Sequence, residues 1–437
     1  MWVGLLYTIM YLGAEIHQLS FAPIGNAFAT SALDSDASIP ADIFRERTVQ
    51  CLMLGKYTKG GPYVLETLIQ YFMIEHLLRH DAEFEIWIML GMLLPIALRM
   101  GLHRDPKHFS GFSIFAGEMR RRIWATIFQP DVGYSALAGL PRMIKPQQCD
   151  TEEPRNLWDS DFDKETLELP QSRPESEFTP ALWILAKNRL ISVGGIISDL
   201  AHDTRPYPYT ELMRVEKLLR DSRNSLPSTL QWQPLSDLMN HDPQLIMRRM
   251  YLDMFFHKML ITMYKKYLTP SMIDSRYDHA REVCLDSAIK ILKYQHLLDE
   301  ETGSEIRFSS ARWRVSSLLN HDFLLAASVL CFYIKLYNGS KGVTVDQELS
   351  EMIGSLLAKS HEIWLRCSTA SKEARKAVQS LNIILEKRNT GEDEEIDLDF
   401  PYSSIDFLAQ VNNPANWPAS QDKKFASLIQ HGELLVH

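Results

Sequence analysis

The sequence predicts an all-α fold: a large irregular helical domain with a Pro-rich central connector and an acidic C-terminal tail. Three observations carry this expectation. Apolar residues recur at three- and four-residue steps along most of the 437 residues. No stretch of useful length alternates apolar and polar residues as a half-buried strand would. Apolar residues make up 46% of the chain and aromatics 10%, which suits a folded core and not a disordered polypeptide.

The elements follow in order. Residues 1–19 are apolar but lack a basic leader and a small-residue cleavage site, so they read as a buried helix and not a signal peptide. Leu65, Leu68, Ile69, Phe72, Met73 and Leu77 mark the next helical face. Trp87 to Leu98 forms a more buried helix, stopped by Gly101 and followed by Pro106. Phe115 to Leu137 makes another, which Pro130 is expected to kink or split. Six prolines between Pro141 and Pro180 define the extended connector. Helices resume over 181–200, 209–225, 243–268, 276–298, 310–337 and 346–389. Residues 1–389 are thus predicted as one helical domain and 390–437 as an acidic, flexible tail. No segment reads as long and apolar enough to cross a membrane, so no membrane partner is expected.

Charge and motifs exclude several functions. A net charge of −9 repels nucleic acid at long range. Cys51, Cys149, Cys284, Cys331 and Cys367 are too scattered for a paired metal site and read as reduced, buried thiols. No phosphate-cradling loop, nucleophile elbow or dinucleotide fingerprint is present, so no catalytic, cofactor-binding or metal-binding residue is assigned. His76 and His80 share a helical face without the glutamate of a zinc protease motif. Asp34-Ser35-Asp36 and Asp159-Ser160-Asp161-Phe162-Asp163 lie in loop-like contexts, which does not favour a metal-dependent isoprenoid enzyme. Met250, Met254, Met259 and Met263 read as core filling.

Residues 97–156 are the most informative stretch. Glu118 lies three and four residues before Arg121 and Arg122, the favourable order for intrahelical pairs. A charge beside Trp124 on a packed face needs a partner. Asp131 is therefore expected to pair with an arginine from another segment, Arg99 or Arg142. Arg120, Arg121 and Arg122 then orient packed helices; three arginines alone supply little phosphate affinity. Gly139 suits a left-handed helix end, and Pro141 forbids continuation. In the tail, acids surround Ile396, Leu398, Phe400 and Phe407, the composition of a segment that a coactivator groove captures.

The order of these pieces resembles the regulatory domain, or middle homology region, of fungal zinc-cluster transcription factors. Leu98-Arg99-Met100-Gly101-Leu102-His103-Arg104-Asp105-Pro106 is similar to the family's helix end and loop. Glu118, Arg120, Arg121, Arg122, Trp124 and Asp131 resemble its most recognisable block. Gly139-Leu140-Pro141, Cys149-Asp150 and Pro154-Arg155-Asn156 resemble the segment after it, and His321-Asp322-Phe323 a late helix. Ala125, where the family often has an aromatic, and Pro130 depart from the pattern. The six-cysteine zinc cluster usual in such regulators is not among the 437 residues.

The resemblance implies a nuclear regulator of transcription, controlling a metabolic or biosynthetic gene set, and not an enzyme. It implies no cofactor in this chain, zinc entering only through a cluster upstream of Met1. DNA would be contacted directly only in that case. Otherwise the chain would act as a homodimer or a heterodimer with a zinc-cluster regulator. A small-molecule effector is a further expected partner. The alternative is a helical ligand-binding or scaffold protein without a direct role in transcription.

Overall fold

The structure is a computed structural model. It describes residues 1–21, 41–78, 84–205, 207–233, 242–303, 317–338, 347–369 and 371–390. The tail residues Ile396, Leu398, Phe400 and Phe407, together with His80 and Asp34-Ser35-Asp36, lie outside the described residues.

Every regular element among the described residues is helical. The helices are α1 (Trp2–Phe21), α2 (Ala41–Leu54), α3 (Val64–Leu78), α4 (Phe84–Arg99) and α5 (Ile114–Ala138) before the connector. After it come α6 (Pro180–His202), α7 (Tyr209–Asn224), α8 (Pro243–Tyr264), a short α9 (Leu268–Ser271) and α10 (Asp278–Gly303). The last three are α11 (Ser317–Asn338), α12 (Gln347–Cys367) and α13 (Lys372–Thr390).

Local chemistry places several helix ends. Gly101 takes a φ of 73° just past α4, and Leu102 N–H then donates to the Ala97 carbonyl at 3.1 Å. Ser113 caps α5, Thr179 caps α6 with Pro180 behind it, and Asp242 caps α8 with Pro243 behind it.

Two large cores result. The N-terminal core is built from α2 to α5, with Leu65, Leu90, Leu94, Trp124 and Ile127 among its buried residues. The C-terminal core runs from α6 to α13, with α8 and α10 packed together at its centre. Met250, Met254, Met259 and Met263 are all buried there, filling the core as their spacing predicts. Helix α5 joins the two. Trp124 and Tyr134 belong to the first core, Val132 to the second, and Phe128 packs against both.

Three expectations need correction, and a fourth, the kink or split at Pro130, is narrowed. α1 is not buried over residues 1–15: among them Gly4, Thr8 and Tyr11 are covered, while Trp2, Val3, Leu6, Ile9 and Met10 stand 40–58% exposed. Among the described residues α1 packs chiefly against α2 and α3, so its apolar circumference exceeds what those two helices cover. Pro130 does not split α5, which continues to Ala138. Proline deletes one helical hydrogen bond, and flanking tertiary contacts of Ile127, Gln129 and Asp131 hold the backbone in place. Residues 346–389 are not one helix; α12 ends at Cys367, and the Ser371 hydroxyl caps α13 by accepting from Ala374 N–H at 2.9 Å. Finally, Pro180–His202 and Leu319–Leu336 are long and apolar enough to cross a membrane; they are core helices here, 61% and 56% buried in those windows.

Candidate functional site: an arginine clasp on α5

The three consecutive arginines of α5 reach three different segments. Arg120 Nη2 donates to the Met100 carbonyl at 2.7 Å, at the end of α4, and its guanidinium lies 4.5 Å from the Phe112 ring centroid. Burial lowers its pKa from the ordinary arginine value. Gly101 stands close by, where an added Cβ would come 3.6 Å from Arg120 Nη2.

Arg121 grips Asp105. Both hydrogen bonds measure 2.9 Å, and the Asp105 side chain is fully buried. Asp105 also accepts from the backbone N–H of Lys107 at 3.0 Å and of Glu152 at 2.9 Å. Burial alone would raise its pKa; Arg121 and the two amides overcome that and hold the carboxyl well below the usual range. Arg121 reaches Glu152 as well, at 3.2 Å. Of the two arginines its spacing allowed, Glu118 pairs with Arg122, at 3.1 Å, and it also accepts from the Arg155 backbone N–H at 3.2 Å.

Arg122 completes the clasp. It donates to the Leu157 carbonyl at 3.0 Å and to Asp159 at 2.5 Å, and lies 4.8 Å from the centroid of Phe162. Leu157, Phe162 and Leu169 form a small cluster of their own against Phe115 and Met119 of α5. The irregular connector thus has its own apolar foothold. Asp161 of the same acidic run pairs with Arg173 at 2.6 Å, so Asp159 and Asp161 both serve ion pairs.

Asp131 departs from expectation. Its carboxylate accepts from the backbone N–H groups of Met143 at 3.0 Å and Ile144 at 2.8 Å, not from an arginine. The physical reason is the turn after α5: Gly139, at φ 65°, reverses the chain so that residues 143 and 144 return over Asp131. Pro141 sits exposed in that turn. Burial pushes the Asp131 pKa up, and the two amides only partly oppose it. Arg142 turns to α6 instead, with Nε and Nη2 meeting Asp199 at 2.9 and 2.6 Å.

Two residues named from sequence only as parts of longer motifs, Asp105 and Asn156, hold roles that the sequence did not assign. Asp105 is legible as a cap before proline, but its grip on Arg121 is not. Asn156 is 1% exposed and accepts from Thr179 Oγ1 at 2.6 Å, while its amide donates to the carbonyls of Arg173 and Pro174 at 3.1 and 3.2 Å. It binds the connector's two ends to the cap of α6. No local pattern announces such a hub.

The arrangement is mechanical. It fixes the loop after α4, the connector and α5 as one unit, and the donors named above point to protein acceptors. His76 accepts or donates at Tyr134 from within the N-terminal core, and His108 lies 3.1 Å from Asp150. Among the described residues no three His, Cys, Asp or Glu side chains converge on a metal position. Cys284 and Cys331 are buried, the other three cysteines are half-buried, and none of the five forms a disulfide. They do not fit a two-zinc cluster.

Comparison with known proteins decides the family. The fungal specific transcription factor domain matches residues 47–268, which is half of the chain. The chain belongs to that family. The fungal specific transcription factor domain thus runs from within α2 to the first residue of α9 and contains the whole clasp. The chain is similar to the fusarisetin A cluster transcription factor of Fusarium sp. (strain FN080326), 46% identical over 89% of this chain and 52% of that protein. It matches the equisetin cluster transcription factor of Fusarium heterosporum at 46% identity over 89% and 56%. A Zn(2)-C6 fungal-type transcription factor of Macrophomina phaseolina is 39% identical over 89% and 52%. The chain spans about half the length of the curated relatives it matches. No solved structure matches it.

Proposed function

We propose that the chain is the regulatory region of a fungal transcription regulator that controls a biosynthetic gene set. The observation that carries this reading is its 46% identity, over nearly its whole length, to two regulators named for the biosynthetic clusters they serve. The clasp fits such a role, since it makes α4, α5 and the connector move as one body. The protein works in the nucleus and performs no catalysis. Its DNA contact runs through a zinc cluster, carried either by a partner regulator or by residues beyond these 437. The acidic segment containing Ile396, Leu398, Phe400 and Phe407 recruits a coactivator.

Deletion of the gene in its host tests this, with transcripts of the adjacent biosynthetic genes as readout. Loss of those transcripts, restored by the reintroduced gene, is expected. Unchanged transcripts together with a tagged protein that stays out of the nucleus would overturn the reading and favour a scaffold.

A further inference from the structure

Over residues 1–15, α1 packs by one side and shows solvent the other. Gly4, Thr8 and Tyr11 are covered. Trp2, Leu6, Ile9 and Gly13 fall on the opposite side of the helix, and all four are exposed. Their alternation of four- and three-residue steps is the a/d spacing of a heptad seam. Val3, Met10 and Ala14 widen the seam, and they too are exposed. Residues 1–14 carry no charged side chain. Among the described residues, a Cβ added at Gly13 would meet nothing within 4 Å. The seam thus has an open notch at one end and the Trp2 indole, 58% exposed, at the other.

We propose that the open face of α1 is an interface between two copies of this chain, whose α1 helices pair antiparallel about a two-fold axis with Trp2 of each seated over Gly13 of the other. The seam is self-complementary. A two-fold axis between positions 7 and 8 sets residue 2 against 13 and residue 6 against 9, the a-to-d layering of an antiparallel coiled coil. The bulky indole then fills the glycine notch at both ends, and Leu6 meets Ile9 twice in the middle. Parallel pairing would set Trp2 against Trp2 and leave a void where Gly13 faces Gly13. The area also suits a dimer. Met53 and Leu54 end α2 at 65% and 84% exposed, and Gly55 after them lies against Met1. With them, the exposed apolar side chains of α1 offer roughly 700 Å² per copy, near the ~800 Å² that each partner gives to a standard interface. Exposed apolar patches of this size mark interaction sites. The acidic segment 392–400 does not suit this face, because residues 1–15 offer it no lysine, arginine or histidine. The pairing goes beyond the regulatory reading above and rests on none of it.

The test is the mass of the purified 437-residue chain in solution, read by light scattering across a concentration series. A dimer is expected. Leu6→Glu should weaken it by about tenfold or more, because a charge enters the apolar seam, while helical content by circular dichroism stays unchanged. Gly13→Trp should weaken it similarly by filling the notch. Register is read by disulfide capture under mild oxidation. Mixed Trp2→Cys and Gly13→Cys chains should give a covalent pair with one of each, and Trp2→Cys chains alone should give none. A benzophenone attached at Gly13→Cys should label α1 of the other copy. A wild-type chain that stays monomeric, a dimer indifferent to Leu6→Glu, or Trp2→Cys chains linked to one another would overturn the pairing. Labelling of residues 22–40 or 391–437 of the same chain would overturn it too, and would make that segment the occupant. None of these outcomes bears on the transcript measurement, so the two readings fail separately.

Discussion

Arg121 and Asp105 form a two-pronged ion pair, Nε to Oδ2 and Nη2 to Oδ1, each 2.9 Å, with the carboxylate fully buried and the arginine side chain 17% exposed. Removing the arginine alone leaves a buried, uncompensated charge. Arg121→Ala should therefore lower unfolding stability by about 3–5 kcal/mol. Arg121→Lys should recover only part of it, because an ammonium cannot span both oxygens. Urea unfolding midpoints of both variants check this.

Asp131 offers a cleaner deletion. Asp131→Ala strands the buried Ile144 amide and the Met143 amide. Each amide left without an acceptor costs about 1–3 kcal/mol. The turn from Gly139 to Ile144 should also exchange amide hydrogens faster, which mass-resolved hydrogen exchange reads directly.

Acid should weaken the fold through its buried histidines. Burial holds the His76 pKa down to about 4 and that of His321 to about 3, against 6.5 for a free imidazole. Both are neutral in the folded protein, while the unfolded chain takes up protons below 6.5. Their contribution is full above that pH and is lost as pH falls toward 4. For His76 the whole loss is on the order of 3 kcal/mol. Melting temperature should fall from pH 7 to pH 5, and His76→Gln should flatten the dependence.

Gly194 and Gly195 sit inside α6, where glycine ordinarily costs about 1 kcal/mol against alanine. A Cβ on Gly194 would lie 2.6 Å from Phe255 Cζ, and one on Gly195 would lie 2.7 Å from Arg142 Nη1. Gly194→Ala should thus destabilise by about 1–3 kcal/mol, overpacking outweighing the gain in helix propensity. Thermal unfolding decides the sign.

Much of this was legible without coordinates wherever the signal is local. Gly101, Gly139, Thr179-Pro180 and Asp242-Pro243 each end or start a helix by chemistry confined to a few residues. The Ser371 cap of α13 was equally local and was missed, because the apolar periodicity runs through it from α12. The candidate site was legible as a cluster of residues but not as a set of pairs. Glu118 had two arginines within reach on its own helix, and only packing assigned it Arg122.

By itself, then, the sequence determined that the chain is helical, where most helices begin and end, and which family it joins. Helical hydrogen bonds run four residues back, so short-range spacing suffices for them. Only the tertiary structure decided that Arg121 holds a residue 16 positions away and Arg142 one 57 away, that Asp131 serves backbone amides, and that α1 keeps an apolar face open. Those outcomes depend on which segments dock against one another. A side chain's partner is set by three-dimensional proximity and the competition among acceptors there, and neither is written in local spacing.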